Sequence, residues 1–519
     1  FEVPRGIWKS TGLYAAAGES IKVVIPSELV DKKLGVQIGC HTDNLSGKSN
    51  PARFPQIVRR EALTSAETTF SSPFGGLIYI TIPKDEGDQD FPDNVSISIE
   101  NTVPAPYFVL GETNLNEWRS RIRNHPAPWA ELASSTLIIT VPSEQIRALE
   151  DPVELMEFWD NIQNANADLA VIPRERPYPE RFVSDIQISY GLMHAGYPIM
   201  MPTSLSPNIL TTDIANAGGW GYYHELGHNH DEPDYMPNGT SEVTPNFWTL
   251  YVIEQVSDQT AREGFEGWAR RAPEVDFEAQ SDPSNDKNLN AEKWNKSPDY
   301  ASVKLAMYLQ LKEAFGWGTY KKVFKEYSEL PADQKPSSSA QKKDQWCIRF
   351  SKACGYNLAP FFDLWDFDVS DEAKAEVEHL PVWMPYQNLA TEKEINFHER
   401  RMKYDNITIT PGTISPGSEV NISFDWTVGP TGNNGYCPGC IIQFYVGIQD
   451  EFSECVVSRQ MRTPNFSQNG GHFEHTFTAP SKPGVYYVTH SFSLKRSCQP
   501  NSSNHQNTIY NALALIHVQ

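Results

Sequence analysis

This chain lacks the marks of several large protein classes. It has no dinucleotide-binding glycine fingerprint, no P-loop and no Gly-x-Ser-x-Gly elbow, so spacing gives no support to nucleotide chemistry or a serine hydrolase. No apolar run approaches the roughly 18 residues that a membrane span requires, so no transmembrane segment is expected. Positive charge is scarce: 43 Lys and Arg face 65 Asp and Glu, a net charge of −22. That excludes a sequence-independent grip on nucleic acid, which needs a basic surface. It also repels sialylated or anionic lipid surfaces unless a local basic patch exists. Cysteine is sparse, with seven in 519 residues. Cys437-Pro-Gly-Cys440 has no second Cys-x-x-Cys to complete a four-thiolate site. It also stands among strand-like runs, not before a helix as a redox motif would. The first residues, Phe1-Glu2-Val3-Pro4, lack Met and any signal-like core, and read as a processed mature end or an expression boundary.

What the chain does have is apolar and aromatic content, 39% and 12%, enough for several cores. A length of 519 residues exceeds one domain. The most specific stretch is His224-Glu225-Leu226-Gly227-His228. On a helix, residues four apart share a face one turn apart, so two imidazoles can hold one ion. The intervening Glu225 is then placed to act as general base on a metal-activated water. Gly218-Gly219-Trp220-Gly221 gives the helix a tight entry, Leu226 supplies an apolar position, and Gly227 permits close backbone approach.

A catalytic zinc commonly takes three protein ligands and keeps one position open. The metzincin pattern would place a glycine and then a ligand where this chain has Asp231 and Asp234, and the missing glycine argues against it. Glu242 is the stronger candidate. It follows a turn-rich loop and opens a second apolar-periodic segment, so that helix, loop and helix make the His₂Glu arrangement of thermolysin-type sites. Asn246, one turn after Glu242, is placed to hydrogen-bond the far nitrogen of a ligand histidine and fix its tautomer. His230 lies roughly 200° around the helix from His228 and points away from the metal. Tyr222 and Tyr223, just before the motif, are read first as core-packing residues, with the substrate cleft or an oxyanion donor as the alternative. Trp220 is open between stacking on a sugar ring and plugging the helix entry.

The run Gly-Gly-Trp-Gly-Tyr-Tyr-His-Glu-Leu-Gly-His-Asn-His at 218–230, followed by Glu242-Val-Thr-x-Asn, resembles the enhancin-like, mucin-degrading metallopeptidases (peptidase family M-sixty). The likeness extends to Ser10–Glu19, Pro73-Phe-Gly-Gly-Leu-Ile-Tyr79, Gly196-Tyr-Pro-Ile-Met200, Lys304–Leu311 and Pro360-Phe-Phe-Asp-Leu-Trp365, and covers roughly residues 8–385. The resemblance implies a zinc endopeptidase acting on glycoproteins, often O-glycosylated and mucin-like. It implies Zn²⁺ on His224, His228 and Glu242, with Glu225 as base.

Four of the seven cysteines, Cys437, Cys440, Cys455 and Cys498, fall near the C-terminus and are expected to form two disulfides of unassigned pairing. Cys347 and Cys354 are expected to form another, leaving Cys40 as a buried thiol. Asn-x-Ser/Thr acceptors at Asn44, Asn94, Asn238, Asn295, Asn406, Asn421, Asn465 and Asn501, taken with the clustered cysteines, favour a secreted, extracellular glycoprotein.

Composition and periodicity divide the chain into three domains and a linker. Residues 1–110 read as an N-terminal β-sandwich of short β-branched runs. Its acidic loop Asp85–Asp90 is better read as a solvated hairpin than as a calcium loop. Residues 111–385 read as a gluzincin-like α/β zinc peptidase domain with a helical half. The expected helices are 152–163, 219–229, 246–259 and 302–315, and the expected strands 136–141 and 168–172. The polar stretches 276–290 and 331–344 read as surface insertions. Residues 386–400 form a linker, and 401–519 an immunoglobulin-like, disulfide-containing sandwich. The fold class is therefore multidomain α+β. The sequence reads as a secreted zinc metalloendopeptidase. The alternative is a non-catalytic extracellular binding or matrix protein that reuses the peptidase fold.

Overall fold

The computed structural model describes residues 7–82 (except 31), 95–269 (except 217), 301–383 (except 366), 392–397, 400–430 (except 413), 441–448, 451–452, 456–458, 470–495 and 512–518. The chain divides into two compact units. One comprises Phe1–Asp231 with Thr244–Phe265, the other Glu232–Val243 with Glu266–Gln519.

In the first unit, strands β1 (Ile7–Ala15), β2 (Ser20–Val24), β3 (Gly35–Ile38), β4 (Arg59–Ala62), β5 (Glu67–Ser71), β6 (Gly76–Ile82), β7 (Ser98–Glu100) and β8 (Val103–Pro104) form two sheets. Their orders are β4-β3-β6-β1-β8 and β5-β2-β7. Alternation along β2 turns Ile21 and Val23 inward, where they meet Val36, Ile38, Phe70 and Ile78 in a shared core. The chain then enters a second five-stranded sheet, built from β9 (Tyr107–Val109), β10 (Trp129–Ala133), β11 (Leu137–Pro142), β12 (Glu180–Asp185) and β13 (Ile199–Pro202) in the order β13-β12-β11-β10-β9. Only the β10–β11 pair is antiparallel. Every residue of β12 is buried, as in a sheet covered on both faces.

The helices of this unit are α1 (Leu115–Ser120), α2 (Val153–Ala170), α3 (Ser206–Ile209), α4 (Trp220–His230) and α5 (Asn246–Val256), while α6 (Ala261–Ala269) begins in it and ends in the second. Leu155, Met156, Trp159, Ile162, Asn166 and Leu169 give α2 a buried stripe at helical spacing. Trp159 meets Phe182 of β12 and Tyr222 and Tyr223 of α4, and Trp248 of α5 donates to the Asn166 carbonyl at 3.2 Å. The expectation of a strand at 168–172 is corrected here. The same stripe carries α2 to Ala170, and Val171 takes a left-handed conformation (φ 56°) that ends the helix. The β-branched pair Val171-Ile172 mimics a strand signal but lies beyond the helix end.

The second unit holds α7 (Ala301–Ser328, kinked at Gly316), α8 (Ser339–Cys354), α9 (Ala359–Leu364) and α10 (Asp371–Val377), and α7 packs on α8 through aromatic contacts among Tyr308, Tyr320, Phe324, Trp346 and Phe350. The stretch 331–344 is no simple insertion. Ser338 and Gln341 form a capping box, and α8 starts at Ser339 with Lys343 already buried. The expected Cys347–Cys354 disulfide is also corrected, because both thiols are free. Seven residues apart on one helix, they are separated by about 10 Å of axial rise, beyond disulfide reach. Cys40 is a free, buried thiol.

After this helical half come β14 (Glu392–Phe397), β15 (Arg400–Thr410), β16 (Glu419–Pro430), β17 (Ile441–Ile448), β18 (Glu451–Phe452), β19 (Val456–Ser458), β20 (Gly470–Thr478), β21 (Gly484–Lys495) and β22 (Ala512–Val518). The stretch 386–400 is thus more than a linker, since β14 lies within it and pairs with β15. Two antiparallel sheets, β14-β15-β16-β20 and β18-β17-β21-β22 with β19 on β17, share a core of Val420, Ile422, Phe424, Phe477, Val446, Val488 and Ile516. Cys437, Cys440, Cys455 and Cys498, the loop 85–90, the stretch 276–290, and Asn94, Asn295, Asn465 and Asn501 lie outside the described residues.

Candidate metal centre

Helix α4 puts His224 and His228 one turn apart, with their Nε2 atoms 3.1 Å from each other. Two imidazole nitrogens facing at that distance suit a shared cation when both offer lone pairs. For His224 the tautomer is decided by its other nitrogen. Nδ1 lies 2.8 Å from Asn246 Oδ1, an amide oxygen that can only accept, so Nδ1 carries the proton and Nε2 keeps its lone pair.

Asn246 reaches His224 because α4 and the start of α5 nearly touch. A Cβ on Gly227 would fall 2.3 Å from the Pro245 carbonyl oxygen. Four residues before α5, Glu242 brings a carboxylate to the pair. One ligand atom from each of His224, His228 and Glu242 lies within 4.8 Å of the others, and this is the one such group among the described residues. Two imidazoles and a carboxylate match the preference of Zn²⁺ for nitrogen and oxygen donors. Tetrahedral bonds near 2.1 Å would set the donors about 3.4 Å apart, inside the observed span. The histidines are half-buried, Glu242 is exposed, and Glu225 is buried at 8% exposure.

The other acids of the loop are engaged elsewhere. Asp231 accepts from the Thr244 hydroxyl, and Asp234 pairs with Lys335 at 2.6 Å. Loop residues 232–243 belong to the second unit, where Tyr235 packs on Phe324 and Tyr327, and Lys304 Nζ donates to the Gly239 carbonyl at 2.7 Å. Burial, with Lys343 near, pushes the Lys304 ammonium down to about 8. His230 is buried beside Arg176, with Nδ1 on the Leu226 carbonyl. Burial and then the Arg176 charge push it down to about 3, so it stays neutral.

Tyr222 and Tyr223 do not line a cleft. Tyr222 is 2% exposed and donates to the Leu205 carbonyl at 2.7 Å, while Tyr223 is fully buried against Trp159 and Gly219. The helix turns both rings toward the core formed with Trp159, and burial raises both phenols well above their ordinary values. Trp220 is half-buried at the start of α4. Asn44 and Asn238 are exposed on loops, Asn406 is exposed on β15 and bonded to Asp425 at 2.7 Å, and Asn421 is half-buried on β16.

A neighbouring cluster had no spacing signal. The segment between β12 and β13 runs beside α4, with Met193 against Gly221 and Gly196 exchanging hydrogen bonds with the Asn229 side chain at 3.1 Å. His194 lies between these two contacts. Its Nε2 is 3.0 Å from Asp43 Oδ2, although the two residues are 151 positions apart in sequence.

The family follows from comparison with known proteins. The description "Peptidase M60, enhancin and enhancin-like" matches residues 101–366, and "N-terminal domain of M60-like peptidases" matches 2–98. The chain belongs to the enhancin-like M60 peptidase family.

Among its relatives, a TRPM8 channel-associated factor homolog of Xenopus laevis is 37% identical over 72% of this chain. TRPM8 channel-associated factor 1 of Homo sapiens is 36% identical over 73%. The chain spans 40% of the length of each. Two solved structures from Clostridium perfringens share the fold. The ZmpB metallopeptidase matches with TM-score 0.57 at 16% identity, covering 99% of this chain and 96% of that one. The ZmpC M60 catalytic domain, solved in complex with the sialyl T antigen, matches with TM-score 0.53 at 15% identity, with the same coverage.

Proposed function

We propose that this chain is a secreted zinc metalloendopeptidase that cleaves peptide bonds in O-glycosylated, mucin-like proteins. The observation that carries the reading is the tautomer-locked His224 facing His228, with the Glu242 carboxylate beside them. Bound there, Zn²⁺ would acidify a water and polarise the scissile carbonyl. His224, His228 and Glu242 would hold it, and Asn246 fixes the ring of His224. Glu225 takes the proton from the attacking water and passes it to the leaving amine as the C–N bond breaks. The glycoprotein substrate class is supported by family membership and by the sialyl T antigen bound to the ZmpC relative. The glycosylation acceptors and C-terminal cysteines support secretion. The two C-terminal sheets support an immunoglobulin-like module that binds or spaces.

A second reading, a non-catalytic protein on the same fold, is favoured by the names of the relatives at 36–39% identity, which are channel-associated factors. Cleavage of an O-glycosylated mucin separates the two. The zinc-loaded chain should cut, whereas chelator treatment and Glu225→Gln should each abolish cutting while the variant still binds one zinc. No cutting by the zinc-loaded chain, or undiminished cutting by the variant, defeats the peptidase mechanism.

A further inference from the structure

The reaction needs a hydrogen-bond donor where negative charge develops on the scissile carbonyl. Tyr222 and Tyr223 are turned into the core. The structure brings a different group alongside Glu225. Gly221, Glu225 and Asn229 are spaced four apart and form one stripe on α4. Met193 packs on the first and Gly196 bonds to the last. The chain from 193 to 196 therefore runs along the face that carries Glu225, with His194 between the two anchors.

The His194 side chain is 25% exposed, so an incoming substrate can reach it. Its orientation comes from the N-terminal domain. Asp43 Oδ2 holds Nε2 at 3.0 Å and also accepts from the Ser189 backbone at 2.6 Å, and Ser189 Oγ lies 3.4 Å from the same ring nitrogen. Asp43 is 8% exposed. Its loop is locked to the catalytic sheet: Arg53 makes a near-buried ion pair with Asp185 at 2.6 Å and donates to the Asp43 carbonyl at 3.0 Å. Nδ1 of His194 rests 3.2 Å from the adjacent Ala195 carbonyl, a contact it can exchange for a substrate oxygen.

We propose that His194 is a further catalytic residue, an imidazolium whose Nδ1–H donates to the scissile carbonyl oxygen, and that Asp43 of the N-terminal domain is its positioning residue. This rests on the peptidase reading above. The hydrogen bond to Asp43 raises the pKa of His194 above its ordinary value against the effect of burial, and the Glu225 carboxylate adds to the rise. The charged groups acting on the ring are Asp43 from the N-terminal loop and Glu225 from α4.

The test uses the zinc-loaded full chain and its His194→Gln, Asp43→Asn and Glu225→Gln variants. His194→Gln and Asp43→Asn should keep one zinc per chain. Each should lose roughly 10²-fold in kcat on O-glycosylated mucin, with KM within about twofold. The His194 ring proton, followed by NMR, should titrate at lower pH in Asp43→Asn and again in Glu225→Gln. That measurement needs no activity, so it stands apart from the peptidase reading. Wild-type kcat in both the His194 and Asp43 variants overturns the proposal, as does an unchanged His194 titration in Glu225→Gln. Undiminished activity of Glu225→Gln defeats the peptidase mechanism instead.

Discussion

Asn246 does for His224 what the helix cannot do alone. Helical spacing sets two imidazoles side by side, but a neutral imidazole can present either nitrogen, and only the amide oxygen at 2.8 Å selects the useful one. Asn246→Ala should lower zinc affinity about 10- to 100-fold, measured by competition against a chromophoric chelator, while the melting temperature of the metal-free protein changes far less. Asn246→Asp retains an acceptor and should hold zinc nearly as well. The spacing rule that singled out His224, Glu225 and His228 works because all three lie within little more than a turn of one helix. Asn246 was legible as the start of the second helix, but Glu242, expected on that helix, lies in the turn that precedes it. Asp43 and His194 were not legible, because nothing periodic links positions 151 apart. Tyr222-Tyr223 adjoins the motif in sequence, yet the helix turns both rings into the core against Trp159, the role favoured for them from the sequence.

At the scale of elements, the approach of α4 to α5 depends on a missing side chain. Gly227→Ala would drive a methyl group into the Pro245 carbonyl at 2.3 Å. The helices would have to separate, at a cost of about 1–3 kcal/mol. Separation also pulls Asn246 away from His224, so a denaturant titration should show lower stability and a metal titration weaker binding. A variant with both at wild-type values would mean that the contact is not what sets the helix spacing. Helices with an uninterrupted apolar stripe, such as α2, α4 and α5, were visible in the sequence to within a turn or so at most ends, apart from the C-terminus of α2. The reading went wrong where local chemistry was ambiguous: Val171-Ile172 looks like a strand but follows a helix, and the polar 331–344 hides the start of α8. The Ser338/Gln341 capping box was the available signal there.

At the scale of the whole molecule, the N-terminal domain and the β9–β13 sheet share one core within the first unit. Trp8, Leu77 and Tyr79 pack with Val183 and Met200, and the buried Arg181–Glu131 pair lies among them, with Arg181 donating to Ser10 Oγ at 3.0 Å. Arg181→Met leaves Glu131 buried without its cation and should cost about 3–5 kcal/mol in urea unfolding. The Asp43–His194 pair makes stability depend on pH in a definite window. His194 is raised from 6.5, so its contribution is full below that value and is lost as pH rises through the folded pKa. Burial pushes Asp43 up, but the hydrogen bonds from His194 and Ser189 outweigh it and hold it below 3.8. Its contribution is therefore present above 3.8 and is lost as pH falls through the folded value. The melting-temperature gap between wild type and Asp43→Asn should be widest between about pH 4 and 6.5 and should narrow on both sides.

The sequence alone determined the features that short-range geometry dictates: the helical pair of histidines, the carboxylate between them, the strand runs of the N-terminal sheets and the division into β and helical regions. Each depends on residues within a few positions of one another, where backbone period dictates which side chains meet. Tertiary structure alone decided which core the rings of Tyr222 and Tyr223 join, that of Trp159 and Phe182. It also decided the placing of Asp43 beside His194 and the closeness of Gly227 to Pro245. Those depend on which surfaces pack together, and packing is a property of the folded chain, since local pattern does not encode distance between remote positions.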